Sequence, residues 1–439
     1  MDWKEHYESR LTSPEEAIEV VKAGDYIAFA YGSEPLALGL ALLNRGVEVG
    51  GIKVFVPAPG RDFAWYDAGW EETFQVEVAH VLPVAHSMIA EKRGDFLVGS
   101  VQWAHQPGVR QPADVLLVQL SPPDEHGYCS FGASLWDKKQ AVRETKVVVA
   151  EINQSLIRTY GDNFIHVSEI DHFVEHTPSG RMPGATDMLG RKTAGPGERE
   201  RNIGEYIASL VKDGDTLEIG VGGTAEWAVR LGVFDDKQEL GWFSENTPPG
   251  IVDLVRRGIM TGERKTIHRG KAVATACGGS SKEDMDFINM NPIFELYGSD
   301  YILDPRVIAA NDNMVAINSA VAVDLTGQIA AESIGPRMLS STGGQLAFTI
   351  GAGLSKGGRN ITVLASTARK DSVSRIVPVL EPGTVVTVPR TLADIVVTEH
   401  GIARLKGKTQ RQRAQELIAI AHPNFRDDLK KESDKLFYP

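Results

Sequence analysis

The chain has 439 residues, 42% of them apolar and 24% charged, the balance of a folded globular protein rather than a disordered one. Its 46 basic and 58 acidic residues leave a formal net charge of −12, which argues against a general nucleic-acid or anionic-membrane binder; an anionic ligand needs a local site. Cys129 and Cys277 are the only cysteines, too few for a disulfide framework or a thiolate metal site. No apolar run reaches the roughly 18 residues of a membrane span, and Met1–His6 has no apolar leader core. A cytoplasmic protein of two large domains is expected.

In chain order, Ser13-Pro14-Glu15-Glu16 reads as a capping box opening a helix whose apolar face is Ile18, Val20 and Val21 and which Gly24 ends. A strand follows at Tyr26–Ala30, then the turn Gly32-Ser33-Glu34-Pro35, then helical spacing through Leu36, Leu38, Leu40 and Leu43. Lys22, Gly24, Asp25 and Gly32 return as Lys212, Gly214, Asp215 and Gly222, 190 residues later. Val115–Val118 with Asp124 and Gly127 return as Val315–Asn318 with Asp324 and Gly327, 200 residues later. Two ordered matches suggest a duplicated domain, although Gly-Asp before a strand is also ordinary α/β punctuation. The turn-rich stretch Pro183–Gly197 places the boundary near residue 190, giving domains 1–190 and 191–439. Val147–Val149 and Ile361–Leu364 read as buried parallel strands. The class is α/β, two related domains with mainly parallel open sheets.

Several constellations are candidates for chemistry. Gly220-Val221-Gly222-Gly223-Thr224-Ala225 lies between the strand-like Thr216–Ile219 and the helix-like Glu226–Val229, and fits the dinucleotide pattern; Glu245, twenty residues on, stands where such a fold puts its ribose-binding acid. A ligand-free turn fits equally well. Glu245 precedes Asn246-Thr247-Pro248-Pro249-Gly250 and the run Ile251, Leu254, Val255, so it reads locally as a helix-entry carboxylate held as an anion by the helix dipole. Ser340–Gln345, with Gly343 and Gly344, forms a third loop able to present backbone donors to one oxygen.

Weaker signals remain. His166, Asp171, His172, Glu175 and His176 match no metal-ligand spacing, so no metal site is expected. Gly353-Leu354-Ser355-Lys356-Gly357 has the letters of a nucleophile elbow but leads into a strand, and reads as a loop. Gly407-Lys408-Thr409 lacks the first glycine of a P-loop. Arg404, Lys406, Lys408, Arg411 and Arg413 read as a solvated helix end, with ligand phosphates as the alternative.

Taken together, Ser121–Ser130 (SPPDEHGYCS), Asn311–Asn318 (NDNMVAIN), Gly343-Gly344-Gln345, Ala365–Ala368 and Val397–Ala403 resemble the acetyl-CoA hydrolase/transferase family, and within it the 4-hydroxybutyrate and butyryl-type CoA-transferases. The resemblance runs from about Asp25 to Phe425. It implies tandem CoA-transferase domains of NagB/RpiA-like fold and ping-pong transfer of CoA between an acyl-CoA and a small carboxylic acid. It further implies Glu245 as the nucleophile that becomes a glutamyl-CoA thioester. Val221 and Gly222 look like oxyanion donors, and Gly220, Gly343, Gly344, Gln345 and Lys356 like coenzyme A contacts. Ser33 is matched by position to the substrate carboxylate. Coenzyme A is then a substrate, with no tightly bound cofactor, and a homodimer or higher homo-oligomer is expected. The turn after Glu245 departs from the family's, in which a Met or Leu and a Ser-Asp-Gly turn are expected. An acyl-CoA hydrolase, a NAD-dependent oxidoreductase and a non-catalytic CoA-binding protein are the competing readings.

Overall fold

The computed structural model describes residues 2–32, 34–99, 111–178, 195–221, 223–278, 281–341 and 343–438. Ser33, Gly222 and most of the Pro183–Gly197 stretch lie outside the described residues. Two compact units form, Met1–Arg191 with Thr275–Tyr301, and Lys192–Ala274 with Ile302–Pro439. The segment Thr275–Tyr301 thus groups with the first unit although it lies in the second half of the chain.

In the first unit Ser13 caps α1 (Pro14–Ile18), accepting from the Glu16 amide while Glu16 answers at the Ser13 amide. The helix stops at Ile18, well before Gly24; what Gly24 serves, at φ 85°, is the turn into β1 (Tyr26–Phe29). After α2 (Leu36–Val49) come β2 (Ile52–Val56), β3 (Phe74–Val78), β4 (Asp95–Phe96), β5 (Val115–Leu120), β6 (Val147–Ile152) and β7 (His172–Glu175). They form one sheet in the order β7-β6-β5-β1-β2-β3-β4, every pair parallel. Unbroken burial along β5 is what a strand covered on both faces requires, and explains its continuous apolar run.

The second unit runs α3 (Glu198–Leu210), β8 (Thr216–Ile219), α4 (Gly223–Arg230), β9 (Gly241–Asn246), α5 (Ile251–Arg256), β10 (Met314–Ser319), α6 (Gln345–Leu354), β11 (Arg359–Val363), β12 (Ile395–Thr398) and β13 (Gly401–Arg404). Its sheet contains the order β13-β12-β11-β10-β8-β9. Its neighbouring strands pair in parallel except in the β12–β13 hairpin. Helices α7 (Gln410–Ile420) and α8 (Pro423–Phe437) bury Leu417 and Leu429 in a cluster with Val396 and Ala403.

The two sequence matches have the same local structure in both units. Lys22 and Lys212 each donate their amide to the side chain of the aspartate three residues on, at 2.8 and 2.6 Å, and Gly24 and Gly214 both take positive φ. Asp124 and Asp324 each close a turn on Gly127 and Gly327. β5 pairs β1 as β10 pairs β8, with Ala28↔Leu116 answering Glu218↔Ala316.

Candidate active site

Glu245 lies inside β9, not at a helix entry. The helix that follows begins at Ile251 and is led in by Gly250 at φ 98° without a side-chain cap. Between them the Asn246–Gly250 turn is tied locally: Trp242 Nε1 donates to Thr247 Oγ1 at 3.1 Å, Ser244 Oγ to the Asn246 carbonyl at 2.8 Å, and the Thr247 amide to Asn246 Oδ1 at 2.8 Å. These bonds fix the end of the strand with the residues that depart from the family turn. The helix dipole expected to hold Glu245 as an anion is therefore not that of the Ile251 helix.

The helix end that Glu245 meets belongs to α6. Gly344 is its N-cap, and the Gly344 amide donates to the Glu245 carboxylate. A Cβ on Gly344 would run into Glu245 Oε2 and the Leu303 side chain, and one on Gly343, whose φ is 53°, would lie 3.7 Å from the same oxygen. Two glycines thus allow main chain to approach a carboxylate closely. Glu245 is partly open on a strand whose other residues are buried. Burial nevertheless pushes its pKa up to about 7, with the Gly344 amide pulling the other way. Burial outweighing the amide donor found among the described residues leaves the carboxylate poorly stabilised as an anion, which suits a nucleophile.

The strand–Gly turn–helix read at residues 216–229 is present as β8 and α4. Gly220 ends the strand with its amide on the Ile317 carbonyl at 2.9 Å, and Val221 is exposed at the turn. Among the described residues of the α4 first turn, the Ala225 amide goes to Ser319 Oγ at 3.2 Å. Gln345, the first residue of α6, is buried with its Nε2 unpartnered. The structure does not bring Lys356 to this place: it follows the far end of α6, about 15 Å along a helix of 10 residues, and reaches toward Asp312 at 3.6 Å with its side chain exposed.

Two residues escaped the reading of the sequence. Glu218, on β8, is 2% exposed and accepts from Asn318 Nδ2 of β10 at 2.8 Å. Burial first, then the charge of Glu245, raises its pKa well above the usual carboxylate range, against the Asn318 amide and the Ile317 main chain. An acid inside the strand-like Thr216–Ile219, next to the glycine turn, was the available signal.

Several of the remaining candidates have structural partners. His166 Nδ1 contacts Ser168 Oγ at 2.8 Å, Glu175 accepts from Tyr7, and Asp171 from the Val148 amide. Among the described residues, no group of three or more His, Cys, Asp and Glu is placed to hold a metal. Ser355 Oγ donates to the Asn311 carbonyl at 2.6 Å, as a loop serine does. In the basic stretch Arg404, Lys406 and Arg411 are exposed, as expected, and Lys408 and Arg413 partly so. Arg411 and Arg413 donate to the Phe437 and Arg390 carbonyls, and Lys408 pairs with Glu416.

The site is thus a carboxylate on a parallel strand, faced by the glycine-led N-terminus of a helix, beside a strand–Gly turn–helix. Residues 93–179 match the acetyl-CoA hydrolase/transferase N-terminal domain and residues 280–433 its C-terminal domain. A 4-hydroxybutyrate coenzyme A transferase of Clostridium kluyveri is 41% identical, over the full length of both chains. The solved structure of RipA from Yersinia pestis matches with a TM-score of 0.90 at 33% identity, covering all of both chains. That of a 4-hydroxybutyrate CoA-transferase from Porphyromonas gingivalis matches with a TM-score of 0.81 at 35% identity, over 99% of this chain and 100% of the other. The chain belongs to the acetyl-CoA hydrolase/transferase family.

Proposed function

We propose that this protein is a CoA-transferase that moves CoA between an acyl-CoA and a small carboxylic acid of the 4-hydroxybutyrate, butyrate or acetate class, with Glu245 as its nucleophile. The observation that carries this is the Glu245 carboxylate, which receives the Gly344 amide at the α6 N-terminus while burial disfavours its anion. The relatives' named activities support the substrate class.

The Glu245 carboxylate attacks the thioester carbonyl and CoA leaves as thiolate, giving an acyl-glutamyl anhydride. The thiolate then attacks the glutamyl carbonyl, releasing the first acid and leaving a Glu245–CoA thioester. An incoming carboxylate reverses both steps, so the acyl-bond energy is kept and the kinetics are ping-pong. Coenzyme A is a substrate here, not a resident cofactor. Main-chain amides at Val221, Gly222, Gly343 and Gly344 are the candidates to receive the developing oxyanions, and loss of one such donor typically costs on the order of 10²–10³ in rate. Gly220 and Gln345 are the neighbouring candidates for coenzyme A contacts.

The test is CoA release from acetyl-CoA with and without a panel of short-chain acids. Transfer predicts new acyl-CoA only when an acceptor is present. Free thiol released equally fast without one would make the protein a hydrolase.

A further inference from the structure

Glu218 and Glu245 lie on adjacent strands and face the same way. Leu217 registers with Trp242 across β8 and β9, and Glu218 with Ala316 across β8 and β10. Registered residues share a face and faces alternate along a strand, so Glu218, Asn318 and Glu245 all emerge on one side of the sheet. Gly220, just past the end of β8 and next on that side, has no side chain, and a Cβ there would collide with Asn318 Oδ1. Asn318 therefore fills the space over Gly220 with its amide on Glu218, on the same face of the sheet as the Glu245 carboxyl group.

Two carboxyl groups on one face of adjacent strands, one of them almost wholly buried, cannot both ionise cheaply. β10 brings to Glu218 only the neutral Asn318 side chain and the Ile317 main chain, while β9 brings Glu245, the charge that acts on it. Glu218 is also the more deeply buried of the two, at 2% exposed against a partly open Glu245. We propose that Glu218 is a positioning residue that keeps a proton beneath Glu245, so that the pair carries one negative charge and that charge falls on the nucleophile. The inference rests on the Glu245 reading for its purpose. No proton moves in the transfer cycle, because Glu218 holds its proton while the Glu245 carboxylate is acylated and released.

The test is infrared difference spectroscopy on the full-length protein without substrate, so its outcome is separate from whether the transfer reaction occurs. At pH 8 the wild type should show a protonated-carboxyl stretch that Glu218→Gln removes and Glu245→Gln retains. With the neighbouring charge gone in Glu245→Gln, the pH at which that band disappears should fall by roughly one unit or more. A purely structural Glu218 would give no such shift. In turnover, Glu218→Ala should lose more than Glu218→Gln, since Gln keeps an acceptor for Asn318. Absence at pH 8 of a protonated band that Glu218→Gln removes would overturn the proposal, as would a band whose midpoint ignores Glu245→Gln.

Discussion

The two units share a strand order and a pair of turns but use carboxylates in opposite ways. In the first unit Glu151, fully buried on β6, accepts from the Leu36 and Ala37 amides at 3.1 and 2.7 Å and from Gln119 at 3.1 Å, so it closes the N-terminus of α2. In the second unit Glu245 receives the Gly344 amide and is left with its anion disfavoured. Many donors make a carboxylate a fixed structural anion, whereas few leave it with free energy to release on reaction. The register sharpens the contrast. Ala28, Pro57 and Val118 of the first unit occupy the places that Glu218, Glu245 and Asn318 occupy in the second. The same framework is apolar in one copy and carries the candidate chemistry in the other.

The largest expected effect is at the nucleophile. Glu245→Ala should lower kcat by on the order of 10⁴ or more, and Glu245→Asp, one methylene short, by on the order of 10². Steady-state exchange assays check both, and retention of wild-type turnover by either would erase the difference between the units. Next is Gly344→Ala, whose methyl would displace the Glu245 carboxylate and Leu303; kcat should drop by on the order of 10² with the far-UV spectrum unchanged.

Glu151→Ala turns the comparison around. It removes the acceptor of three helix amides, those of Leu36, Ala37 and Leu38, and one side-chain amide, and should cost on the order of 2–4 kcal/mol of stability in denaturant unfolding. Glu245→Gln should act oppositely. Its folded pKa of about 7 lies above the ordinary glutamate value of 4.5, so between those values the folded state binds more protons than the unfolded one and stability falls as pH rises. That loss is complete above about pH 7 and absent below about pH 4. Glu245→Gln should therefore stabilise the protein by on the order of 2 kcal/mol at pH 8 but not at pH 4. By the same titration, the wild-type kcat/KM should climb toward pH 7 as the nucleophilic anion forms and then level.

Much of this frame was legible in the chain, because buried parallel strands are unbroken apolar runs and Gly-Asp turns announce where they begin. Thr216–Ile219 with its glycine turn and the Ser13 capping box follow from local chemistry. Gly24 was misread as a helix stop, since α1 ends at Ile18 and the intervening residues form the turn that Gly24 completes. Glu245 was misread as a helix cap because the local pattern, an acid before Pro-Pro-Gly and an apolar run, is that of a cap. Its place inside β9 follows from pairing with β8, which no local rule supplies. Glu218 and Asn318 lie 100 residues apart and meet only because β8 and β10 are neighbours, so the face they share with Glu245 is a property of sheet order. Lys356, a coenzyme A contact by resemblance alone, stands at the other end of α6 from Gly344, a separation set by a helix length that the motif itself does not convey.

The most direct measurement is to incubate the protein with acyl-CoA in the absence of an acceptor acid, reduce with borohydride, and locate the modification by peptide mass spectrometry. The account predicts acyl-CoA-dependent inactivation with the reduced residue at Glu245, and no such product in Glu245→Gln. A modification at another residue, or full activity after the treatment, would contradict it.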